Sequence, residues 1–168
     1  MACTYKNNLN YYSEFYSIVK DLLANEKVQE MKLYRQHYDT STFEHCFHVA
    51  YVSYKICKKL GLDYKSAARG GLLHDLFLYD WRKSSKELDL DGLHAFVHPK
   101  IALKNAEELF DLNNKEKDII KKHMWPVTLA LPRYAESFII TIADKYSAIQ
   151  ESFAYYSSSL KRKKLKYA

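Results

Sequence analysis

The sequence predicts an all-α domain, on three observations. Glycine and proline are scarce, with four and three residues in 168, too few for the many turns of an all-β protein. Apolar residues make up 48% of the chain and recur mostly at helical spacing. No pair of alternating apolar runs reads as a strand pair. One domain with its own core fits this length.

The elements follow in order. Residues 11–33 set Phe15, Ile18, Val19, Leu22 and Leu23 on one helical face, as one helix or as two short ones broken near Asn25. Ser41 and Glu44 have capping-box spacing and Gly61 ends the next apolar run, which predicts a helix over about 42–60. Asp63 is a candidate cap for a helix through "DYKSAARGGLLHDLFLYDW", whose Ala67, Ala68, Gly70 and Gly71 invite close approach by a neighbouring helix. Residues 80–97 read as irregular. Pro99 suits a first helical turn and predicts a helix from there to about Phe110. Further helices are expected over about 114–124, stopped before Pro126, and about 133–158, following Pro132.

The net charge of +6 is concentrated at one end. Lys161, Arg162, Lys163, Lys164 and Lys166 leave 21 basic against 20 acidic residues in the rest of the chain. The expected organisation is therefore one domain over 1–160 and a basic tail over 161–168. A solvated terminus explains the tail, with loose attraction to nucleic acid or anionic lipid as the functional alternative. Three cysteines without CxxC spacing argue against a disulfide framework or a thiolate zinc site. With no signal-like segment and no long apolar span, a soluble cytoplasmic protein is expected, without a membrane partner.

Six polar residues sit awkwardly in or at the ends of apolar helices: His45, His74, Asp75, His98, His123 and Asp144. A lone histidine on an apolar face is ordinarily a core residue with one satisfied hydrogen bond, which suits His37, His48 and His94. Six such residues on five predicted helices call for a shared partner, because buried charge without one is costly. Imidazoles and carboxylates suit zinc, manganese or iron. Adjacent helical residues point about 100° apart. His74 and Asp75 therefore meet one ion only near a helix end or where their side chains converge.

The order of these residues resembles the HD-domain superfamily of metal-dependent phosphohydrolases. "EHCFHVA" carries the first histidine, "ARGGLLHDLF" the His-Asp doublet and "IADKYSAI" the last aspartate. "VHPKIALKNA" and "IIKKHMWP" are similar to the His-Pro helix and the following histidine helix of the phosphodiesterase branch, which includes HD-GYP-like domains. The resemblance covers about residues 40–150. It implies an all-helical fold around a central metal site. His45, His74, Asp75 and Asp144 would hold a first divalent ion. Asp75 would bridge to a second, held also by His98 and His123. The ions would be iron, manganese or another transition metal.

The chain departs from that pattern after the doublet. "LFLYD" stands where Gly-Lys is usual, Ala102 replaces a glycine of the HD-GYP branch, and "WPVTLALPRY" replaces the GYP segment. A cyclic-di-GMP substrate is therefore not read from it.

The expected reaction is hydrolysis of a phosphoester in a nucleotide or cyclic (di)nucleotide by a metal-activated hydroxide. A one-metal phosphomonoesterase or nucleotidase, and a non-catalytic regulatory module on the same scaffold, are the alternatives. His74, Asp75 and Lys145 are the candidate catalytic residues. Lys145, Arg133, Lys122, His94 and Arg35 are the candidates for holding a small phosphorylated substrate, with His48 a candidate donor beside the ligands. Tyr79 and Trp81 are the expected aromatic lining.

Overall fold

The computed structural model describes residues 2–83, 86 and 92–166, with side chains over 10–83, 86 and 92–158. Among the described residues seven helices form one bundle: α1 (Ala2–Leu23), α2 (Glu26–Glu30), α3 (Thr42–Lys59), α4 (Tyr64–Leu73), α5 (His94–Leu109), α6 (Asn114–Lys122) and α7 (Ala135–Lys166). A single 3-10 turn, Met31–Leu33, follows α2. A small antiparallel hairpin, β1 (Arg35–His37) and β2 (Thr40–Ser41), precedes α3.

Local signals set several boundaries as expected. Asn25 separates α1 from α2, its side chain accepting from Lys27 N–H. Ser41 and Glu44 form a reciprocal capping box at α3, and Asp63 accepts from Ser66 N–H at α4. Gly61 ends the α3 run at φ +68°, a left-handed conformation that favours glycine.

Four expectations need correction. α5 begins at His94, not at Pro99, which lies inside the helix at its sixth residue. Proline within the first two turns costs one backbone hydrogen bond without stopping the helix. α4 ends at Leu73, so the apolar run through Leu76 and Phe77 is buried non-helical chain rather than helix. α7 continues to Lys166, through the stretch read as a tail; the side chains there lie outside the described residues, as do residues 84–85 and 87–91 of the irregular segment. The hairpin was not expected. It is three residues paired with two, too short to show an alternating pattern, and Tyr38 turns it at φ +49°.

Packing around α4 positions everything else. A Cβ on Gly71 would lie 2.9 Å from the Ala50 Cα of α3, and one on Gly70 would lie 2.9 Å from the Ile119 side chain of α6. The absent side chains let α3 and α6 close on α4 from two sides. Phe15, Val19 and Leu22 of α1, Tyr54 of α3, Ala68 and Leu72 of α4 and Ala102 and Ala106 of α5 fill one core, all fully buried. Val49, Ile119, Ile140 and Ala143 form a second cluster beneath α7. The C-terminal end of α4 lies between these clusters. Among the described residues no helix is long and apolar enough to cross a membrane. Cys46 and Cys57 are buried free thiols.

Candidate metal centre

α4 ends at Leu73, which puts the doublet at the C-terminal end of the helix, with His74 still in helical conformation. His74 is the C-cap, and Asp75 points its carboxylate between α5 and α6. His45 comes from the first turns of α3, His98 from α5, His123 from the C-cap of α6 and Asp144 from α7. The four histidines and Asp75 are 4% exposed or less, and Asp144 is partly buried.

The six converge in two overlapping groups. His45 Nε2 lies 3.0 Å from Asp144 Oδ1, and His74 Nε2 lies 3.8 Å from the same oxygen. Asp75 stands between the groups. Its Oδ2 is 3.4 Å from His74 Nε2, and its Oδ1 is 3.2 Å from His98 Nε2 and 3.3 Å from His123 Nε2. One carboxylate thus offers one oxygen to each side.

Hydrogen bonding fixes which ring nitrogen is available. Nδ1–H of His74, His98 and His123 donates to the carbonyls of Gly71, His94 and Ile120, each at 2.8 Å. A neutral ring so bonded turns a bare Nε2 lone pair inward. His74 Nε2 and Asp75 Oδ1 have no hydrogen-bond partner. His98 Nε2 and His123 Nε2 face each other at 2.9 Å. Lone pairs at that distance repel unless a cation or shared proton sits with them. The donor set, imidazole nitrogen and carboxylate oxygen with the buried Cys46 thiol also beside His74 and Asp75, fits a divalent transition metal. His45 differs from the other rings: its Nδ1–H donates to the Glu151 carboxylate at 2.9 Å. Such a carboxylate–histidine pair orients a ligand and strengthens it as a donor.

Electrostatics agree with the geometry. Burial pushes the His45 imidazole down, but Asp144 and Glu151 outweigh it and hold it up at about 10. Burial raises the Asp75 carboxyl, and the rings of His74, His98 and His123 outweigh that and hold it well below its usual range. Asp144 is likewise depressed, against its burial, by His45 and His74. Burial and neighbouring His98 push His94 down to about 4.

A cleft of about 300 Å³ opens onto the centre. Asp75, His98, His123 and Asp144 lie at its floor, with His94, Trp81, Met124, Val127 and Lys145 around them. Lys145 Nζ lies 3.4 Å from the carbonyls of His123 and Thr141. Lys145 and His94 therefore reach the cleft. The other cation candidates lie elsewhere. Lys122 pairs with Asp118 at 2.6 Å, Arg133 is exposed with its backbone N–H donating to Asp118, and Arg35 faces a neighbouring hollow beside Asp39. His48 sits outside the floor, its Nδ1 3.0 Å from Ser147 Oγ.

The segment after the doublet has a structural account. Leu76 and Phe77 are fully buried, and Asn105 Nδ2 donates to the Leu76 carbonyl at 2.8 Å. The chain then returns Trp81 to the cleft, its Nε1–H donating to the Gln36 carbonyl at 3.2 Å. Tyr79 stands behind the cleft wall, with its hydroxyl 3.1 Å from His94 Nδ1.

Two neighbours of the centre escaped the sequence reading. Gln36 Nε2–H donates to Asp75 Oδ2 at 2.6 Å from β1, and Glu151 backs His45 from α7. Glu151 had a signal: it lies seven residues after Asp144, on the same helical face. Gln36 had none.

Comparison with known proteins agrees with this arrangement. Ribonuclease Y of Mesoplasma florum is 31% identical over 103 residues, 58% of this chain and 19% of that protein. Ribonuclease Y of Mycoplasma mycoides is 29% identical over 142 residues, 79% of this chain and 32% of that protein. Ribonuclease Y of Geobacter metallireducens is 31% identical over 74 residues. The chain thus spans a third or less of the length of these relatives. No solved structure matches. Residues 42–149 match the HD domain, a span that takes in all six converging side chains. By that match and by its helical bundle, the chain belongs to the HD domain family.

Proposed function

We propose that the protein hydrolyses a phosphoester of a nucleotide or cyclic (di)nucleotide at a centre of two divalent ions. The observation that carries this reading is Asp75, whose two oxygens serve opposite sides of the cluster. His45, His74, Asp144 and Asp75 Oδ2 would hold one ion, and His98, His123 and Asp75 Oδ1 the other. When bound, such ions acidify a water and neutralise phosphoryl oxygens.

The chain's own groups supply the rest. An ion that displaces the proton which Asp144 and Glu151 favour on His45 would meet four neutral imidazoles and two carboxylates, and two such ions would leave the loaded centre cationic, which suits an anionic substrate. Lys145 at the cleft wall would pair with a phosphate oxygen. Trp81, Met124 and Val127 offer an apolar wall for the remainder of the ester. Gln36 and Glu151 keep Asp75 and His45 in place. The lining carries one cation, Lys145, among the described residues. That favours a small ester over a long polyanion. Oligoribonucleotides belong in the test, since the relatives are named as ribonucleases.

The deciding experiment is elemental analysis of purified protein, then hydrolysis of nucleoside monophosphates, cyclic (di)nucleotides and short RNA with Mn²⁺ or Fe²⁺. Two ions per chain and metal-dependent release of product from a nucleotide are expected, both lost in Asp75→Ala. Full activity of Asp75→Ala in chelator would refute the assignment. One ion, retained in a His98→Ala, His123→Ala double variant, would refute the two-metal form.

A further inference from the structure

α7 turns one face into the body of the protein and carries a largely exposed apolar row on the opposite side, where Tyr156 also meets the Tyr38 ring of the hairpin. Ile140, Asp144, Ser147 and Glu151 turn into the body of the protein, toward α3 and the metal centre. On the far side stand Ile142, Tyr146, Ile149, Phe153 and Tyr156, exposed by 67%, 51%, 55%, 73% and 58%. At 100° per residue these five fall within about 40° of one line down the helix. A surface helix ordinarily carries charge on this side.

The spacing along that line is four, three, four and three residues. This is the 3.5-residue repeat of a seam that packs knobs into holes against another helix running alongside. A cleft for a small molecule would not require such a repeat, and scattered surface hydrophobes would not show it. The sequence continues it to Leu160.

We infer that the outer face of α7 is a self-association surface, and that a second copy of this chain packs its own α7 along it. Charge selects this occupant. The rows flanking the seam are Ala143, Gln150 and Ser157 on one side and Lys145 and Ser152 on the other. Lys145 turns its ammonium toward the carbonyls of His123 and Thr141. Over residues 142–157 the strip therefore offers an acidic or basic partner almost no counter-charge, and two identical strips packed antiparallel meet there without like-charge repulsion, with the basic residues 161–166 of the two copies kept at opposite ends. Area agrees. Five large side chains more than half exposed would bury roughly 500 Å² per copy, or about 1,000 Å² in total, near the lower limit of a specific interface. Tyrosine, phenylalanine and isoleucine also suit the desolvated middle of such a contact.

The test is the mass of the full chain by analytical ultracentrifugation across the micromolar range, with the Ile149→Glu, Phe153→Glu double variant beside it. Wild-type protein is expected to dimerise, and the double variant to stay monomeric with an unchanged far-ultraviolet helical signal. Should the charged variant fail to fold, Phe153→Ala takes its place. Removing that ring from the middle of the strip should weaken the dimer at least tenfold. A wild-type chain that is monomeric throughout would overturn the inference. So would a dimer with the same dissociation constant in the variants, since association would then use another face.

Discussion

The Nε2 atoms of His98 and His123 lie 2.9 Å apart, with both Nδ1–H groups already given to backbone carbonyls. Neither ring can turn away without abandoning a buried hydrogen bond. The pair is thus held in a geometry that a cation relieves. Adding Mn²⁺ to chelator-treated protein should raise the thermal midpoint. An ion at a hundred times its dissociation constant adds about 2.7 kcal/mol. For a chain of this size that corresponds to a rise of roughly 5–10 °C. His123→Ala should lose most of the rise, read by differential scanning fluorimetry.

Glu151 is expected to govern how tightly the ion beside His45 is held. Its carboxylate fixes the tautomer of that ring and adds negative charge behind it. Glu151→Ala should weaken metal binding by about 10- to 100-fold, the usual cost of removing such a partner. Glu151→Gln keeps an oxygen for Nδ1–H and should lose less. Competition with a chromogenic chelator measures both. Equal affinity in all three proteins would show that Glu151 does not act through His45.

Gly71 is expected to be intolerant of a side chain for a steric reason. An added methyl meets the Ala50 backbone at 2.9 Å, and backbone in the middle of α3 yields little. Gly71→Ala should cost about 2 kcal/mol, within the range for overpacking a core. Gly61→Ala meets nothing within 4 Å and is penalised only by its positive φ, about 1 kcal/mol. Urea denaturation of the two variants distinguishes the mechanisms by size.

Acid should act on the junction of α4, α6 and α7. Lys115 Nζ lies 2.8 Å from Glu136 Oε1, which also accepts from Asp63 N–H. Burial pushes the Glu136 carboxyl up, but Lys115 and backbone N–H groups bring it below 4.5. Asp63, raised by burial and lowered more by Ser66 and Lys115, falls below 3.8. Folded values below the unfolded ones stabilise fully above the unfolded values and lose that contribution as pH falls through the folded ones. Lys115→Met should therefore be less stable than wild type at neutral pH, by a gap that closes below about pH 4. Thermal melts from pH 7 to pH 3 give the gap directly. A gap constant across that range would place the effect of Lys115 in packing rather than charge.

Helix starts were legible wherever the cap is local. Ser41 with Glu44, and Asp63 with Ser66, satisfy backbone N–H groups within three residues, so the spacing alone carries the signal. Helix ends were harder. The apolar run "LFLYD" looks helical, yet Leu76 and Phe77 are buried by α5 and by the Asn105 bond, contacts that periodicity does not encode. Pro99 misled for a related reason. Its ring suits a first turn, but the chain before it gains helix from burial of His98 and from the hydrogen bond of that ring to His94.

By itself the sequence determined an all-helical chain, a basic end and six ordered histidines and aspartates that apolar helices could not hold without a partner. Tertiary structure alone decided that Asp75 divides its oxygens between two groups, that Gln36 and Glu151 brace them, and that Lys145 rather than Arg133 or Lys122 reaches the cleft. The physical reason is range. Caps and helical faces arise from neighbours a few residues apart, whereas the bracing hydrogen bonds span 39 and 106 residues and exist only because Gly70 and Gly71 let α3 and α6 close on α4.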